Sequence, residues 1–497
     1  MDKIRLIFFV MILEYYDFGG FNMNEIGYKL VLDTSTKRKI TILNLLLESD
    51  VPILISELAE ICEVSQKTLR RDIQNLNELF PDSLIQENSS LILNISTDMN
   101  PILSYIEDEV KNNILFSIVE DTFYGRSETI DYLSEKFFIA ESTLRKYLSV
   151  LKDVLEDFDL TLNLSPIEIL GNEVNIRYFY FHFFEQVAEY NQRSYLKSKH
   201  MDLYAILRNL LHNYGFILNV DYHRFVRWMT VSEQRIRQQK LVYLDATLLD
   251  KYRYSETFLM LKTAAKKALL PDSFNLITDS EIAFAFLISL DTIVYDEKSH
   301  FLPTSFLQAT EDFEHLVTKF FQHSGLSYPL NVELKAIIKA FLVNEKALQE
   351  LSPLFQKNDS KFKALMEKKY PKTIETWTTI LKDNHDFLYK EDLAISLASL
   401  TEAKVNRSSK ILFALSGTSA ETAYYKYLAH KYVPKTAELA FVFNQPIDNN
   451  LIERLDIDVC ICNFPLPSSD IGCTFFKFSS VPLDREWEIL AKKLTTI

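Results

Sequence analysis

Between residues 56 and 79 the chain reads SELAEICEVSQKTLRRDIQNLNEL, and its apolar positions form two short helical stripes. Leu58, Ala59 and Cys62 share one face, Val64 closes a tight connection, and Leu69, Ile73 and Leu76 recur at the helical spacings of four and three. Ser65 stands where a hydroxyl accepts the orphan N–H groups of a helix start. The positions left outward on the second helix are polar or cationic: Gln66, Lys67, Thr68, Arg70 and Arg71. This pattern predicts a helix-turn-helix whose second helix enters a major groove, reading base edges with its first turn and holding phosphate with its arginines. A plain amphipathic hairpin has the same apolar frame.

Repetition separates the two readings. At an offset of 75 residues, IDYLSEKFFIAESTLRKYLSVLKDVL reproduces the stretch. Leu133, Ser134, Phe137 and Ile139 replace Leu58, Ala59, Cys62 and Val64, while Leu148 and Leu151 replace Ile73 and Leu76. Thr143, Leu144, Arg145 and Lys146 replace Thr68, Leu69, Arg70 and Arg71. Core packing alone preserves an apolar frame; here the cations recur with it. Ser142, Thr143, Arg145 and Lys146 are therefore the second set of expected DNA contacts. Ala140 in place of Ser65, and Glu141 in place of Gln66, make this second helix start less suited to phosphate.

Each candidate is followed by a short β-prone pair. Leu84-Ile85 and Leu91-Ile92-Leu93 flank the turn-forming Glu87-Asn88-Ser89-Ser90, and LTLNLSPIEILGNE covers residues 160–173. Both read as wings. Thr36 to Leu47 supplies the first helix of the first unit, and a helix from about Ile102 to Asp121 leads into the second. From residue 175 to about 400 helix follows helix, including RYFYFHFFEQVAEY, LYAILRNLLHNYGF and DYHRFVRWMTVSEQRIR, then a second block from about Ser305. After Arg407 the apolar runs Ile411–Leu415, Leu439–Phe443 and Val459–Phe464 alternate with helical stretches, which predicts a small parallel-sheet α/β domain.

The expected class is mainly α and multidomain. Residues 1–28 form an N-terminal extension, 29–97 and 98–173 two winged helix-turn-helix units, 174–295 and 296–405 two helical domains, and 406–497 an α/β domain. Residues 1–22 carry the apolar run IRLIFFVMIL without a cleavage site, too short to span a bilayer; an upstream start, with Met23 the functional one, is the expected origin.

With 497 residues, 47% apolar and 25% charged, the chain is globular. Its nine glycines include no GxGxxG or GxxxxGK[ST], so no glycine-rich phosphate cradle exists. The net charge of −14 argues against indiscriminate nucleic-acid coating but allows local cationic groups such as Lys37-Arg38-Lys39. Four cysteines without CxxC spacing indicate a reducing, cytoplasmic setting and no disulfide framework. Cys460 and Cys462 alternate on one strand and read as a buried core pair. The nine histidines form no ligand spacing, and neither metal nor cofactor is expected. His223 alone stands out: a ring nitrogen accepts a phosphoryl group, and Arg227, Arg235 and Arg237 lie along the same helix. An ordinary surface histidine beside solvated arginines fits the same letters.

In the order of its parts, the chain resembles the Mga/RofA/AtxA family of Gram-positive virulence regulators, and the RofA-like branch most. VSQKTLRRDIQNL and LGNEVNIRYF carry the most specific local matches. The resemblance implies that the helical blocks are PTS regulation domains (PRDs), phosphorylated on histidine by sugar-phosphotransferase proteins, and that the tail is similar to an enzyme IIB domain. It implies a dimer or higher homo-oligomer through the C-terminal region, double-stranded promoter DNA as target, RNA polymerase and phosphocarrier proteins as partners, and no membrane association. His223 matches the histidine of the first PRD. The later position there is Ser289, and DLAISLASL of the second block lacks one, while His300, His315, His323 and His385 lie elsewhere. Ser416 stands where an enzyme IIB carries phosphocysteine, so the tail is expected to act as an interaction domain. The leading expectation is a sequence-specific DNA-binding activator, not an enzyme. The alternatives are a PRD-type RNA-binding antiterminator, which carries a small β-rich RNA module instead of helix-turn-helix units, and a sugar-phosphotransfer component.

Overall fold

The computed structural model describes residues 25–494, less residues 50, 82, 88, 95–99, 185–204, 206–208, 210–220, 255–257, 260–261, 264–276, 294, 296–311, 325–329, 405–409, 434–436, 446, 448, 456 and 465–472. The expected extension over residues 1–22, the LYAILRNLLHNYGF stretch almost entirely, and the start of the second helical block at Ser305 lie outside the described residues. The chain divides into two compact units, Met1–Thr401 and Glu402–Ile497.

In the first unit, α1 (Glu25–Leu30) and α2 (Thr34–Glu48) precede a two-residue strand β1 (Ile53–Leu54) and the helix pair α3 (Ile55–Ile61) and α4 (Gln66–Leu79). The hairpin β2 (Leu84–Glu87) and β3 (Ser90–Leu93) then pairs antiparallel, with β1 added on the far side of β3 as a third strand. The second copy repeats the plan with α5 (Asn100–Lys111), α6 (Ile114–Phe123), α7 (Ile130–Lys136), α8 (Glu141–Glu156) and the hairpin β4 (Thr161–Leu164) and β5 (Ile167–Leu170). The single helix expected over Ile102–Asp121 is thus two. Asn113 breaks it, its side chain accepting from Leu115 N at 2.9 Å and capping α6.

The two copies share one continuous core, in which Leu58, Leu69 and Leu76 of the first join Leu133, Leu144 and Leu151 of the second. Ile26 and Leu30 of α1 are buried in it as well, so the expected extension of residues 1–28 ends inside a core helix. Shared packing of this kind fixes the spacing of the two helix pairs instead of leaving them as beads on a string.

The helical part follows with α9 (Glu173–Phe183), α10 (Tyr222–Arg237), α11 (Ala246–Tyr252) and α12 (Asp279–Leu290). It continues with α13 (Glu314–Ser324), α14 (Leu330–Leu351), α15 (Ser360–Lys369), α16 (Pro371–Leu381) and α17 (Lys390–Lys404). Aromatic stacking organises it: Phe181 lies flat on Trp228 at 4.2 Å, and Phe355 reaches the other members of that group, Trp228 at 5.7 Å and Tyr178 at 4.9 Å.

The second unit holds β6 (Lys410–Leu415), α18 (Ser419–Tyr432), β7 (Glu438–Phe443), α19 (Asn449–Leu455), β8 (Val459–Cys462), β9 (Thr474–Lys477) and α20 (Asp484–Leu494). Its four strands are all parallel, in the order β7-β6-β8-β9. Alternation along β6 sends Ile411, Phe413 and Leu415 to a face covered by Trp487, and Leu412 and Ala414 to the opposite one. Cys460 and Cys462 are fully buried on that opposite face, and burial pushes the Cys460 thiol up to about 12. They are core residues, as their alternation implies.

Candidate nucleic-acid interface

Helix α4 starts as a capped, amphipathic element. Ser65 is extended, and its hydroxyl accepts from Thr68 N at 3.2 Å. Leu69, Ile73 and Leu76 are 0%, 2% and 0% exposed, which seats the helix by its apolar stripe. The polar set lies on the other side: Ser65, Gln66, Lys67, Arg70 and Arg71 are exposed and Thr68 is half-buried. The expected contact residues are thus brought together along the first two turns, where a groove-entering helix needs them.

What holds α4 in place was not visible in its own letters. Asp72, one residue past Arg71, is buried and receives Arg38 Nε of α2 at 2.5 Å. The partner anion and its hydrogen bond hold Arg38 above its ordinary range. Lys37 lies 4.6 Å from the Tyr28 ring centroid, and burial holds its ammonium below its ordinary value. The run Lys37-Arg38-Lys39 is therefore no local patch of free cations, because two of its three members are spent inside the first copy. Burial likewise pushes the Cys62 thiol up to about 12, with Arg38 opposing and Asp72 adding to the shift.

The second helix pair has the same geometry with a weaker start. Ala140 occupies the extended cap position of α8 and offers no side-chain acceptor. Ser142, Arg145 and Lys146 are exposed, and Thr143 is half-buried. Arg145 sits 3.8 Å from Glu141 on the surface, a contact worth little in water. The pair is braced by Asp121 of α6, which holds Lys136 at 2.7 Å and Arg126 at 3.0 Å.

Behind the second wing lies a buried charge cluster that residue patterns did not disclose. Gly171 has φ +151°, and a Cβ there would meet Leu160 Cδ2 at 2.6 Å, so the turn into α9 needs glycine. Two residues on, Glu173 receives Arg235 at 2.9 and 2.8 Å and Arg177 at 3.1 Å. Arg177, fully buried, donates to both oxygens of Glu281 at 2.7 Å and to the Lys240 carbonyl at 3.1 Å. Two arginines and two carboxylates thus balance across α9, α10 and α12. Lys240 adds a surface link of 2.7 Å to Glu168 in the wing strand β5.

His223 is exposed in the first turn of α10, beside the ring of Tyr222. The arginines expected around it are distributed otherwise. Arg235 faces the interior with Glu173, Arg237 pairs with Glu233 at 2.6 Å, and Arg227 lies over the Phe181 ring at 4.9 Å. Arg224 grips Asp291 at 2.8 and 2.9 Å, and the same carboxylate accepts from Trp228 Nε1 at 2.9 Å. Ser289 donates to the Phe286 carbonyl at 2.6 Å.

In the tail, Ser416 directly follows β6. Its N–H goes to Asn463 Oδ1 at 2.7 Å, that of Gly417 to Asn444 Oδ1 at 2.9 Å, and that of Thr418 to Glu421 Oε2 at 2.7 Å. The three loop N–H groups of Ser416, Gly417 and Thr418 are thus already met by oxygens of this chain. Among the described residues no helix is long and apolar enough to cross a membrane.

Comparison with known proteins matches residues 34–90 to the M protein trans-acting positive regulator (MGA) HTH domain and residues 96–184 to the Mga helix-turn-helix domain. A trans-acting regulator of Streptococcus pneumoniae is 23% identical over 316 residues, a match covering 61% of this chain and 63% of the relative. The anthrax toxin expression trans-acting positive regulator of Bacillus anthracis is 20% identical over 477 residues, 92% of this chain and 97% of the relative. The capsule synthesis positive regulator AcpA of the same organism is 27% identical over 147 residues, 29% of this chain and 30% of its own.

Proposed function

The chain belongs to the Mga/AtxA-like family of trans-acting regulators, which are transcriptional regulators and not enzymes, and on that premise we propose that it activates transcription by binding promoter DNA sequence-specifically through both helix-turn-helix units. The observation that carries the reading is the pair of equivalent helices, each buried by its apolar stripe, that expose Lys67, Arg70 and Arg71 in one copy and Arg145 and Lys146 in the other. The common core of the two copies favours a single long site contacted at a fixed spacing. The test is affinity for duplex DNA against hairpin RNA over a range of salt. Tight, salt-steep binding to duplex supports it, and Arg70→Ala or Arg71→Ala lowers the salt slope by roughly 1 for a phosphate contact or costs about 1–3 kcal/mol for a base contact. Preference for the RNA hairpin, or unchanged affinity in both variants, overturns it.

The relatives' names concern a toxin and a capsule, which supports genes of virulence as the targets. The division of the helical part at residues 174–295 and 296–405 follows the PRD reading. Residues 406–497 supply self-association: a dimer places two DNA-binding arms at high effective concentration, so a chain ending at residue 405 loses avidity. His223 is the proposed acceptor for phosphotransferase phosphocarrier proteins. A phosphoryl group there adds close to two negative charges beside Arg224 and competes with Asp291 for that guanidinium. Mass spectrometry after incubation with the donor proteins, with activation by His223→Ala and His223→Asp, decides this part. No phosphohistidine together with wild-type activation in both variants removes it.

A further inference from the structure

Helices α4 and α8 are equivalent, but their C-terminal ends are held differently. At the end of α4, Phe80 packs edge-on against Tyr105 of α5 at 5.5 Å, within the tandem copies. At the end of α8 the holding groups come from farther along the chain. Asp157 is the C-cap, and its carboxylate stands at the negative end of the helix dipole, where an anion is disfavoured. Two lysines offset it. Lys29 of α1 donates to the Asp157 carboxylate at 2.9 Å, and Lys357 donates to the Asp157 carbonyl at 3.2 Å. The Phe158 carbonyl accepts from Asn175 of α9 at 3.1 Å. Carbonyls at a helix end have no donor within the helix, so these three segments supply what α8 itself lacks.

Lys357 lies 200 positions from Asp157 and directly follows the short 3-10 helix Pro353–Gln356, between α14 and α15. That segment is itself fixed. Gln356 accepts from Leu388 N and Tyr389 N at 3.3 and 3.2 Å, and Asn358 N donates to Asp392 at 3.0 Å. The Lys357 ammonium lies 5.1 Å from the Tyr389 ring centroid. The same segment approaches α8 a second time through rings: buried Phe355 meets Tyr178 at 4.9 Å, and Tyr178 meets Phe158 at 6.1 Å. A tilt at this end of α8 is magnified at the other. The helix has 16 residues, about 24 Å in length, so a tilt of roughly 5° about Asp157 moves its first turns by about 2 Å. A hydrogen bond to a phosphate or a base edge does not survive a shift of that size.

On the reading that both units bind DNA, we propose that Lys357 is a positioning residue for that binding. It sets the tilt of α8 and so couples the helical part of the chain to the contacts made by Ser142, Thr143, Arg145 and Lys146, leaving those of α4 unaffected. Lys357 is exposed and sits at the end of α8 opposite to these residues, so removing its charge opens no cavity. The chain leaves α8 through Asp159, with φ 55°, and enters the wing strand β4 at Thr161, so the same contact orients the wing.

The experiment measures the affinity of the full chain for a duplex selected from random sequence by the wild-type protein, with Lys357 varied alone and together with Arg145→Ala or Arg70→Ala. Lys357→Met keeps the stem and removes the charge. It should leave the melting temperature unchanged and lower affinity roughly two- to fivefold, the weight of one exposed charged contact, and Lys357→Arg should restore it. The loss caused by Arg145→Ala should be smaller in Lys357→Met than in wild type, because the start of α8 is already displaced, while that caused by Arg70→Ala stays the same. Wild-type affinity in Lys357→Met overturns the proposal. So does a loss additive with that of Arg145→Ala, which would make Lys357 a phosphate contact in its own right, or one that shrinks the Arg70→Ala effect equally. Arg145→Ala without effect in the otherwise wild-type chain is a distinct failure: it removes the second unit from DNA, and the proposal with it.

Discussion

Arg177 and Glu281, 104 positions apart, meet in two parallel hydrogen bonds of 2.7 Å with both side chains sealed from water. The pair clamps α9, the helix that follows the second wing, to α12. Removing one partner of a buried pair strands a charge, so Arg177→Met should lose roughly 3–5 kcal/mol of stability. Arg177→Met with Glu281→Leu should recover much of that, because two desolvated charges leave together. Thermal melts of the single and double variants check this, and a double variant less stable than the single would show that Glu281 has other work.

Arg38 and Asp72 make the analogous clamp on α4, but asymmetrically. Asp72 is 0% exposed and its second oxygen finds no hydrogen-bond donor among the described residues, whereas the Arg38 side chain keeps 13% of its surface. Arg38→Ala, which leaves the buried anion alone, should therefore destabilise more than Asp72→Asn, by up to about 3–5 kcal/mol. Equal losses in denaturant unfolding would mean that water reaches Asp72.

Ala140→Ser restores at α8 the cap that Ser65 provides at α4. The backbone there is already extended, with φ −68° and ψ 145°, close to the −65° and 148° of Ser65. Stability should rise by about 0.5–2 kcal/mol, the usual worth of a hydroxyl cap. A melting temperature at or below that of wild type would mean that Thr143 N, which already donates to the Ala140 carbonyl at 2.9 Å, gains nothing from a hydroxyl.

The features legible in the sequence were those with a short period. The apolar stripes Leu69-Ile73-Leu76 and Leu144-Leu148-Leu151 announced buried helix faces, Ser65 its own cap, and Cys460 with Cys462 a buried strand face, because each is decided within a few residues. The break at Asn113 was written in the pair Asn112-Asn113, but the apolar spacing runs smoothly across it and hid it. Strand β9 and helix α19 were missed because they are short and take their stability from the sheet they join. The charge cluster of Glu173, Arg177, Arg235 and Glu281 was beyond reach for another reason. Each residue alone reads as a solvated surface charge, and only tertiary contact over 62 and 104 positions makes them interior.

Glu345 on α14 yields a pH dependence. Glu345 is half-buried, and its carboxyl is pushed up to about 8, by burial first and by the Asp291 charge second, with Arg224 opposing. Unfolded, the same group titrates near its ordinary 4.5. Between those values the folded chain holds a proton that the unfolded chain releases. The stability Glu345 contributes is therefore complete below about pH 4.5 and lost as pH rises through about 8. Asp291 also anchors Arg224 and Trp228, so an ionised Glu345 repels the carboxylate that ties α10 to the end of α12. Glu345→Gln keeps the shape and removes the titration. Melting temperatures from about pH 5 to about pH 9 should fall in wild type relative to Glu345→Gln, with the gap opening toward the alkaline end. Parallel curves across that range would mean that Glu345 reaches solvent and carries an ordinary charge.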